Sequence, residues 1–391
     1  MIVALYGIYG TYNFGCEAIV RGACKFLTDI FREVHIRYYS YSYEYDKKML
    51  FDLDVEVVPV IENKSVSRRS INKGLRMLGV NHQLFYFNQK KMLSDVDMIL
   101  SIGGDIYTIP SVLREQNEYP YYNSLVDFCE KSGKPIVVYG ASVGPFGDYY
   151  KAVEYYSYYM KKYKAILCRE ASSVSYLRGL GFNNVTFFPD PAFQIGEGKN
   201  NNGKYIGINL SPLSLDEVYG NHDEHRLKQL ASLIDRIFER FNRNIMFLPH
   251  VLSKDEADND LWFMKKIKDV MKYKDQVTIA NSAGGFLGIK ESIRNCHIVI
   301  SARMHCAINA MEENVPTILL SYSQKSIGMC EYVYGDNYWC VDLKKLEEEL
   351  LSRITEMLEK HDMISETLTK RNIEIKDEYK SNIKKVKKRI C

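Results

Sequence analysis

The densest group of chemistry-bearing residues lies between 298 and 331. An apolar run, Ile298-Val299-Ile300-Ser301, leads to Arg303-Met304-His305, which opens the helical pattern Cys306-Ala307-Ile308-Asn309-Ala310-Met311. Pro316 then starts the run Thr317-Ile318-Leu319-Leu320, and Tyr322-Ser323-Gln324-Lys325 follows directly. A helix N-terminus attracts anions through its unpaired N–H groups and its dipole. Arg303 and Lys325 add two cations there, and His305 adds a side chain of the type that titrates near neutrality. The pattern predicts an anion pocket with a proton donor. Arg169, which follows the run 164–168, is expected to join it from the other half of the chain.

A second group is rich in glycine. The stretch Gly7-Ile8-Tyr9-Gly10-Thr11-Tyr12-Asn13-Phe14-Gly15 joins a strand pattern to a helix opening at Cys16-Glu17-Ala18-Ile19. Such a turn offers backbone N–H groups to a ligand. It lacks the Gly-x-Gly-x-x-Gly spacing and a Walker lysine, which argues against a dinucleotide or ATP fingerprint. Asn13 and Glu17 are expected to hydrogen-bond sugar hydroxyls. Gly103-Gly104-Asp105 permits close backbone approach, and Ser142 stands in a similar position before Val143-Gly144-Pro145. The pairs Asp52/Asp54 and Asp95/Asp97 fall at the amino ends of strand patterns and read as caps and turns. His222-Asp223-Glu224-His225 has no third ligand at useful spacing and reads as a solvated helix face, so no metal is expected.

These residues need elements to position them. Strand patterns fall at 2–6, 35–39, 54–59, 97–102, 135–140, 164–168 and 185–188, then at 204–210, 244–248, 277–280, 297–301 and 316–321. Helical segments alternate with them, which is the pattern of α/β layers on parallel sheets. The polar stretch Gly196-Glu197-Gly198-Lys199-Asn200-Asn201-Asn202-Gly203 reads as a linker. The expected fold is therefore α/β, with two Rossmann-like domains facing a central cleft. Residues 1–196 form the N-terminal domain, 204–345 the C-terminal domain and 346–391 a basic helical tail. In open parallel sheets ligands bind at the carboxyl ends of the strands, where both groups of residues accumulate.

Composition narrows the classes. The chain has 391 residues, 46% hydrophobic and 26% charged, which suits a soluble globular protein of two domains. Lys and Arg total 52 against 49 Asp and Glu, a net charge of +3 that argues against a nucleic-acid partner. No apolar run reaches the ~18–20 residues of a membrane span. The opening Met1-Ile2-Val3-Ala4-Leu5-Tyr6-Gly7 reads as a strand, not a signal peptide. Nine cysteines without a Cys-x-x-Cys pair point to a reducing, cytoplasmic setting. The 30 tyrosines cluster at 38–45, 119–122 and 149–159, a usage that suits sugar stacking or arises from compositional drift. Residues 64–91 and 370–391 are basic, and peripheral contact with an anionic membrane is expected through them.

The motifs Asn13-Phe14-Gly15-Cys16-Glu17-Ala18-Ile19, Gly103-Gly104-Asp105, Ala141-Ser142-Val143-Gly144-Pro145-Phe146 and Arg169-Glu170-Ala171-Ser172-Ser173 occur in that order. Pro189-Asp190-Pro191-Ala192-Phe193, Ser301-Ala302-Arg303-Met304-His305 and Val315-Pro316 through Tyr322 to Lys325 complete the set. Together they resemble the polysaccharide pyruvyl transferase family. The resemblance departs at Cys16, where that family usually carries an acidic residue. It implies a fold similar to the two-domain GT-B glycosyltransferases. It also implies transfer of the pyruvyl group of phosphoenolpyruvate onto two sugar hydroxyls, forming a cyclic ketal and releasing phosphate. On this reading His305, Arg303 and Arg169 are catalytic. Lys325, Asn13, Glu17, Gly103, Gly104, Asp105, Ser142 and Tyr322 bind substrate, and no cofactor is needed. The acceptor is a saccharide of a cell-surface polysaccharide or its lipid-linked precursor, and the setting is the cytoplasmic face of the membrane. The alternatives are a GT-B glycosyltransferase using a nucleotide sugar and a non-catalytic saccharide-binding scaffold.

Overall fold

The computed structural model describes residues 1–60, 70–71, 74–75, 89–109, 113, 119, 123–147, 149–196, 198, 203–220 and 223–390. Most of the basic stretch 64–91, the tyrosines at 121–122 and His222 lie outside the described residues. The chain divides into two compact units. One comprises Met1–Gly10, Ile19–Pro191 and Glu378–Cys391, and the other Thr11–Ala18 and Ala192–Asp377. The main change of unit thus falls just before the glycine- and asparagine-rich stretch. The first turn of the Phe14–Ile30 helix groups with the second unit.

The first unit holds a sheet of β1 (Ile2–Tyr6), β2 (His35–Ser40), β3 (Glu56–Pro59), β4 (Met98–Ile102), β5 (Ile136–Ala141), β6 (Ala165–Cys168) and β7 (Val185–Phe187). Their order is β3-β2-β1-β4-β5-β6-β7, and every pairing is parallel. β4 and β5 are buried at every position, as expected of apolar runs covered on both faces. Tyrosine fills much of this core. Tyr139 stacks on Phe26 with centroids 4.3 Å apart, and Phe188 meets Phe26 edge-on at 5.4 Å. Tyr38, Tyr39, Tyr155 and Tyr156 are buried, so those members of the tyrosine clusters pack the interior and offer no face to a sugar.

The second unit holds β8 (Tyr205–Asn209), β9 (Ile245–Phe247), β10 (Val277–Ile279), β11 (Cys296–Ser301), β12 (Thr317–Ser321) and β13 (Cys340–Asp342). Their order is β10-β9-β8-β11-β12-β13, again all parallel. The helix Glu224–Phe241 packs Leu230, Leu233, Ile234 and Ile237 inward at helical spacing. Asp223 caps it by accepting the Arg226 N–H at 2.9 Å. That caps the helix and leaves His225 exposed on its solvated face.

The last residues form two helices, Leu346–Glu359 and His361–Ile390. Leu350, Ile354, Met357, Leu368 and Ile375 belong to the second unit's core. Beyond Asp377 the helix serves the first unit. The Tyr379 hydroxyl donates to Asp29 at 2.7 Å, and its ring meets Phe188 at 5.3 Å. Val386 and Ile390 are buried while Lys384, Lys385, Lys387 and Lys388 are exposed. The apolar face of this segment is thus used by the fold, and charge alone is left for an anionic surface. Among the described residues no helix is long and apolar enough to cross a membrane.

Candidate functional site

In each sheet the strand order reverses direction once, between β1 and β4 and between β8 and β11. Loops there diverge to opposite faces and leave a crevice at the carboxyl edge. Gly7 and Gly103 to Asp105 follow the strands at the first point and Arg303 to His305 those at the second, while Ser142, Arg169, Tyr322 and Lys325 follow β5, β6 and β12.

In the second unit Asn209 ends β8. Its Nδ2 donates to the Leu248 carbonyl at 2.9 Å and to Asp260 at 3.2 Å. Its Oδ1 accepts the Arg303 N–H at 2.8 Å and the Ser301 hydroxyl at 3.3 Å. One amide thus ties together the ends of β8, β9 and β11. Asp260, the first residue of the Asp260–Val270 helix, is wholly buried and accepts the N–H groups of His250 at 3.0 Å and Val251 at 3.1 Å. Its other oxygen takes Nε and Nη2 of Arg303 at 3.2 and 2.9 Å, and Asp258 takes Nη2 at 2.6 Å. Burial works against the Arg303 charge, and the two aspartates more than restore it. Burial in turn pushes the Asp260 carboxyl up, with Arg303 opposing. Two nitrogens of Arg303 are therefore held by carboxylates. Its Nη1 makes no hydrogen bond among the described residues and is the nitrogen left for a ligand.

Arg303 is the N-cap of the Met304–Glu312 helix, and His305 stands in its first turn, half-buried. The His305 ring packs on Gly15. A Cβ added at Gly15 would lie 2.5 Å from its Nδ1. Tyr12 to Phe14 pair with residues 250–252. The Phe14 N–H donates to the His250 carbonyl at 3.0 Å and the Leu252 N–H to the Tyr12 carbonyl at 2.9 Å. Asn13 Oδ1 accepts the Gly15 and Cys16 N–H groups at 3.0 and 3.4 Å, which caps the Phe14–Ile30 helix. Glu17, expected on a sugar hydroxyl, is wholly buried instead and accepts the Phe286 N–H at 2.8 Å. Its carboxylate is at the N-terminus of the Gly285–Arg294 helix, where negative charge is favoured. Lys325 is in the first turn of the Gln324–Tyr334 helix after β12, and Tyr322 packs against the core just before it.

The buried ring of His250 completes this group. Phe14 and Phe286 meet it edge-on, with centroids 5.6 and 6.1 Å away. Burial, and then the charges of His305, Arg303 and Lys290, hold its pKa well below the ordinary histidine value.

In the first unit Gly7 and Gly103 adopt φ of +126° and +143°, and a Cβ on Gly7 would overlap the Ile102 carbonyl oxygen. Only glycine lets the ends of β1 and β4 come this close. Gly104 lies against the Arg169 guanidinium, with an added Cβ 2.9 Å from both terminal nitrogens. Arg169 follows β6 and is buried. It donates to Ser142 at 3.1 Å, to Asp190 at 3.2 Å and to Asp105 at 3.1 Å. The Ser142 hydroxyl donates onward to Glu170 at 2.7 Å. Burial opposes the Arg169 charge, and Asp105, Asp190 and Glu170 outweigh it. Gly103, Gly104, Asp105, Ser142 and Arg169 are thus brought together. Arg303, His305, Asn13, Glu17, Lys325 and Tyr322 belong to the second unit.

Asp258, Asp260, Asn209, Asp190 and His250 were not singled out as site residues from the sequence. The acidic run Asp255-Glu256-Ala257-Asp258-Asn259-Asp260 was a visible signal for two of them. Asn209 and His250 occur at strand ends with no motif chemistry of their own, and Asp190 lay inside the Pro189–Phe193 motif without an assigned role.

The sequence pattern described as polysaccharide pyruvyl transferase matches residues 13–324. Over 311 residues the chain is 21% identical to the amylovoran biosynthesis protein AmsJ of Erwinia amylovora, covering 75% of this chain and 72% of that one. Among solved structures it resembles UDP-GlcNAc 2-epimerase from Neisseria meningitidis, with TM-score 0.62, 10% identity and 99% of both chains covered. It also resembles a UDP-N-acetylglucosamine 2-epimerase, described as putative, from Listeria monocytogenes, with TM-score 0.55, 11% identity and 93% and 90% coverage. These structural likenesses establish a GT-B type α/β fold of two parallel sheets, as the sequence implied.

Proposed function

We propose, from the premise that this chain belongs to the polysaccharide pyruvyl transferase family, that it moves the pyruvyl group of phosphoenolpyruvate onto two hydroxyls of a saccharide acceptor. The observation that carries the reading is the ordered family pattern over 13–324, with Arg303 and His305 inside it at one helix N-terminus. Phosphoenolpyruvate brings a phosphate and a carboxylate, and such a helix start with Arg303 and Lys325 suits an anion. His305 supplies the proton that turns the enol methylene into a methyl group, leaving an oxocarbenium-like carbon. One sugar hydroxyl attacks that carbon, phosphate departs, and the second hydroxyl closes the ketal; of the two hydroxyl protons, one restores His305 and the other leaves with phosphate. Arg303 enters with its guanidinium plane fixed by Asp258 and Asp260, so Nη1 is pre-oriented.

Arg169 takes a different part in this proposal. Its charge is met by carboxylates within the first unit, so it is a positioning residue for Asp105 and Ser142. The acceptor belongs to a cell-surface polysaccharide or its lipid-linked precursor, a reading supported by the likeness to a protein of amylovoran biosynthesis.

Incubation with phosphoenolpyruvate and a panel of galactosides, glucosides and N-acetylhexosaminides tests the proposal. Phosphate should appear only with an acceptor, and the product should be heavier by one pyruvyl ketal. Turnover of a nucleotide sugar in its place would sink the reading in favour of a glycosyltransferase. His305→Ala should lower kcat by roughly 10² to 10⁴ while changing phosphoenolpyruvate affinity much less. Steady-state kinetics beside calorimetric binding separates the two effects.

A further inference from the structure

His250 is 1% exposed, yet neither ring nitrogen has a hydrogen-bond partner among the described residues. An unmatched buried polar group costs about 1–3 kcal/mol, and native proteins keep few without a ligand, a water or a catalytic reason. The surroundings of His250 point to the first. Its main chain is pinned on both sides, by Asp260 at 3.0 Å and by Phe14 at 3.0 Å. Phe14 and Phe286 close on its ring from their edges. The next residue after Phe14 is Gly15, whose backbone carries the His305 ring. Adjacent residues of one helix start therefore touch both histidines.

The helices Phe14–Ile30, Gly285–Arg294 and Met304–Glu312 all begin around this point. The charged groups near His250 are His305, Arg303 and Lys290 on the positive side, with Asp260 and Glu17 on the negative. Both carboxylates are already committed to N–H groups. One turn along from His305, the Asn309 amide is also wholly buried with neither atom paired. A field built from cations and helix N-termini favours an anion, and a ring N–H adds a directional bond to it.

We propose that His250 is a further binding residue of the second unit's site, donating a ring N–H to an oxyanion of the bound phosphorylated carboxylate. The assignment rests on the phosphoenolpyruvate reading above. Titration calorimetry with phosphoenolpyruvate on the wild type, His250→Phe, His250→Asn and His250→Gln tests it. Phenylalanine keeps the ring volume and removes both nitrogens, while the two amides put a donor near Nδ1 or Nε2. His250→Phe should weaken binding about tenfold, and one of the amide variants should stay within about threefold of the wild type. In the wild type the His250 ring ¹⁵N signals should shift when phosphoenolpyruvate is added, a readout that needs no variant to fold. Unchanged affinity in His250→Phe with unmoved ring signals overturns the assignment and leaves the donor reading standing. A wild type that gives neither heat nor signal change with phosphoenolpyruvate overturns both.

Discussion

Gly15 has an ordinary helical backbone, so alanine there is conformationally welcome, by up to about 1 kcal/mol. The obstacle is the His305 ring, which an added methyl would strike. Gly15→Ala should therefore leave the melting temperature nearly unchanged and lower kcat by roughly 10- to 100-fold, since a shift of about 1 Å in a reacting group can cost that much. Kinetics and a melting curve on one preparation check it. Protons give a second prediction. His250 and His297 both hold depressed pKa values, His297 at about 4 through burial first and then His361 and Arg243. The unfolded chain takes up these protons near the ordinary value of 6.5, and the folded chain only lower. Stability is thus lost as pH falls below that value, by up to about 1.4 kcal/mol per pH unit for His250. Urea midpoints at pH 7, 6 and 5 should show the decline, and His250→Phe should flatten it. At this scale Arg303 and His305 were legible because a motif names them. His250 was not, because its meaning lies in unpaired nitrogens that only packing reveals.

Secondary structure was the more readable level. Short apolar runs alternating with helical segments marked β1 to β12 to within a residue or two, and central strands such as β4 and β5, buried throughout, left the most continuous signature. The edge strand β13 escaped, since Cys340-Val341-Asp342 holds a single β-branched residue beside an aspartate. Charge partners escaped for a different reason. Arg169 and Arg303 read as anion-binding cations, and nothing in local spacing says that Asp190 or Asp260 will fold back to meet them. Gly7 tests the strand-end geometry directly. Its φ of +126° and the adjacent Ile102 carbonyl leave no room for a side chain. Gly7→Ala should cost about 2–3 kcal/mol, read from urea unfolding of the whole chain.

At the scale of the molecule the chain serves its two units in an interleaved order. Residues 11–18 and 192–377 build one, and the stretches before, between and after build the other. Composition put one boundary in the 196–203 stretch, whereas the units change at Pro191 and Ala192, and it could not reveal the exchanges at 11–18 and 378–391, because such short pieces have no composition of their own. The final exchange is testable. Tyr379 is 3% exposed between Phe188 and Asp29. Tyr379→Ala should cost about 3–5 kcal/mol, the range for losing a buried aromatic ring, and should appear as a lower urea midpoint. The same interleaving bears on how the protein is made. A ribosome releases Phe14 before the residues that cover it, and among them His250 is translated more than two hundred residues later. Asp29 and Phe188 likewise wait for Tyr379. The first unit cannot close before Tyr379 has emerged, nor the second around Phe14 before His250 has, so nascent chains must carry exposed apolar surface over long stretches of synthesis, and chaperone demand during expression should be set by this threading order.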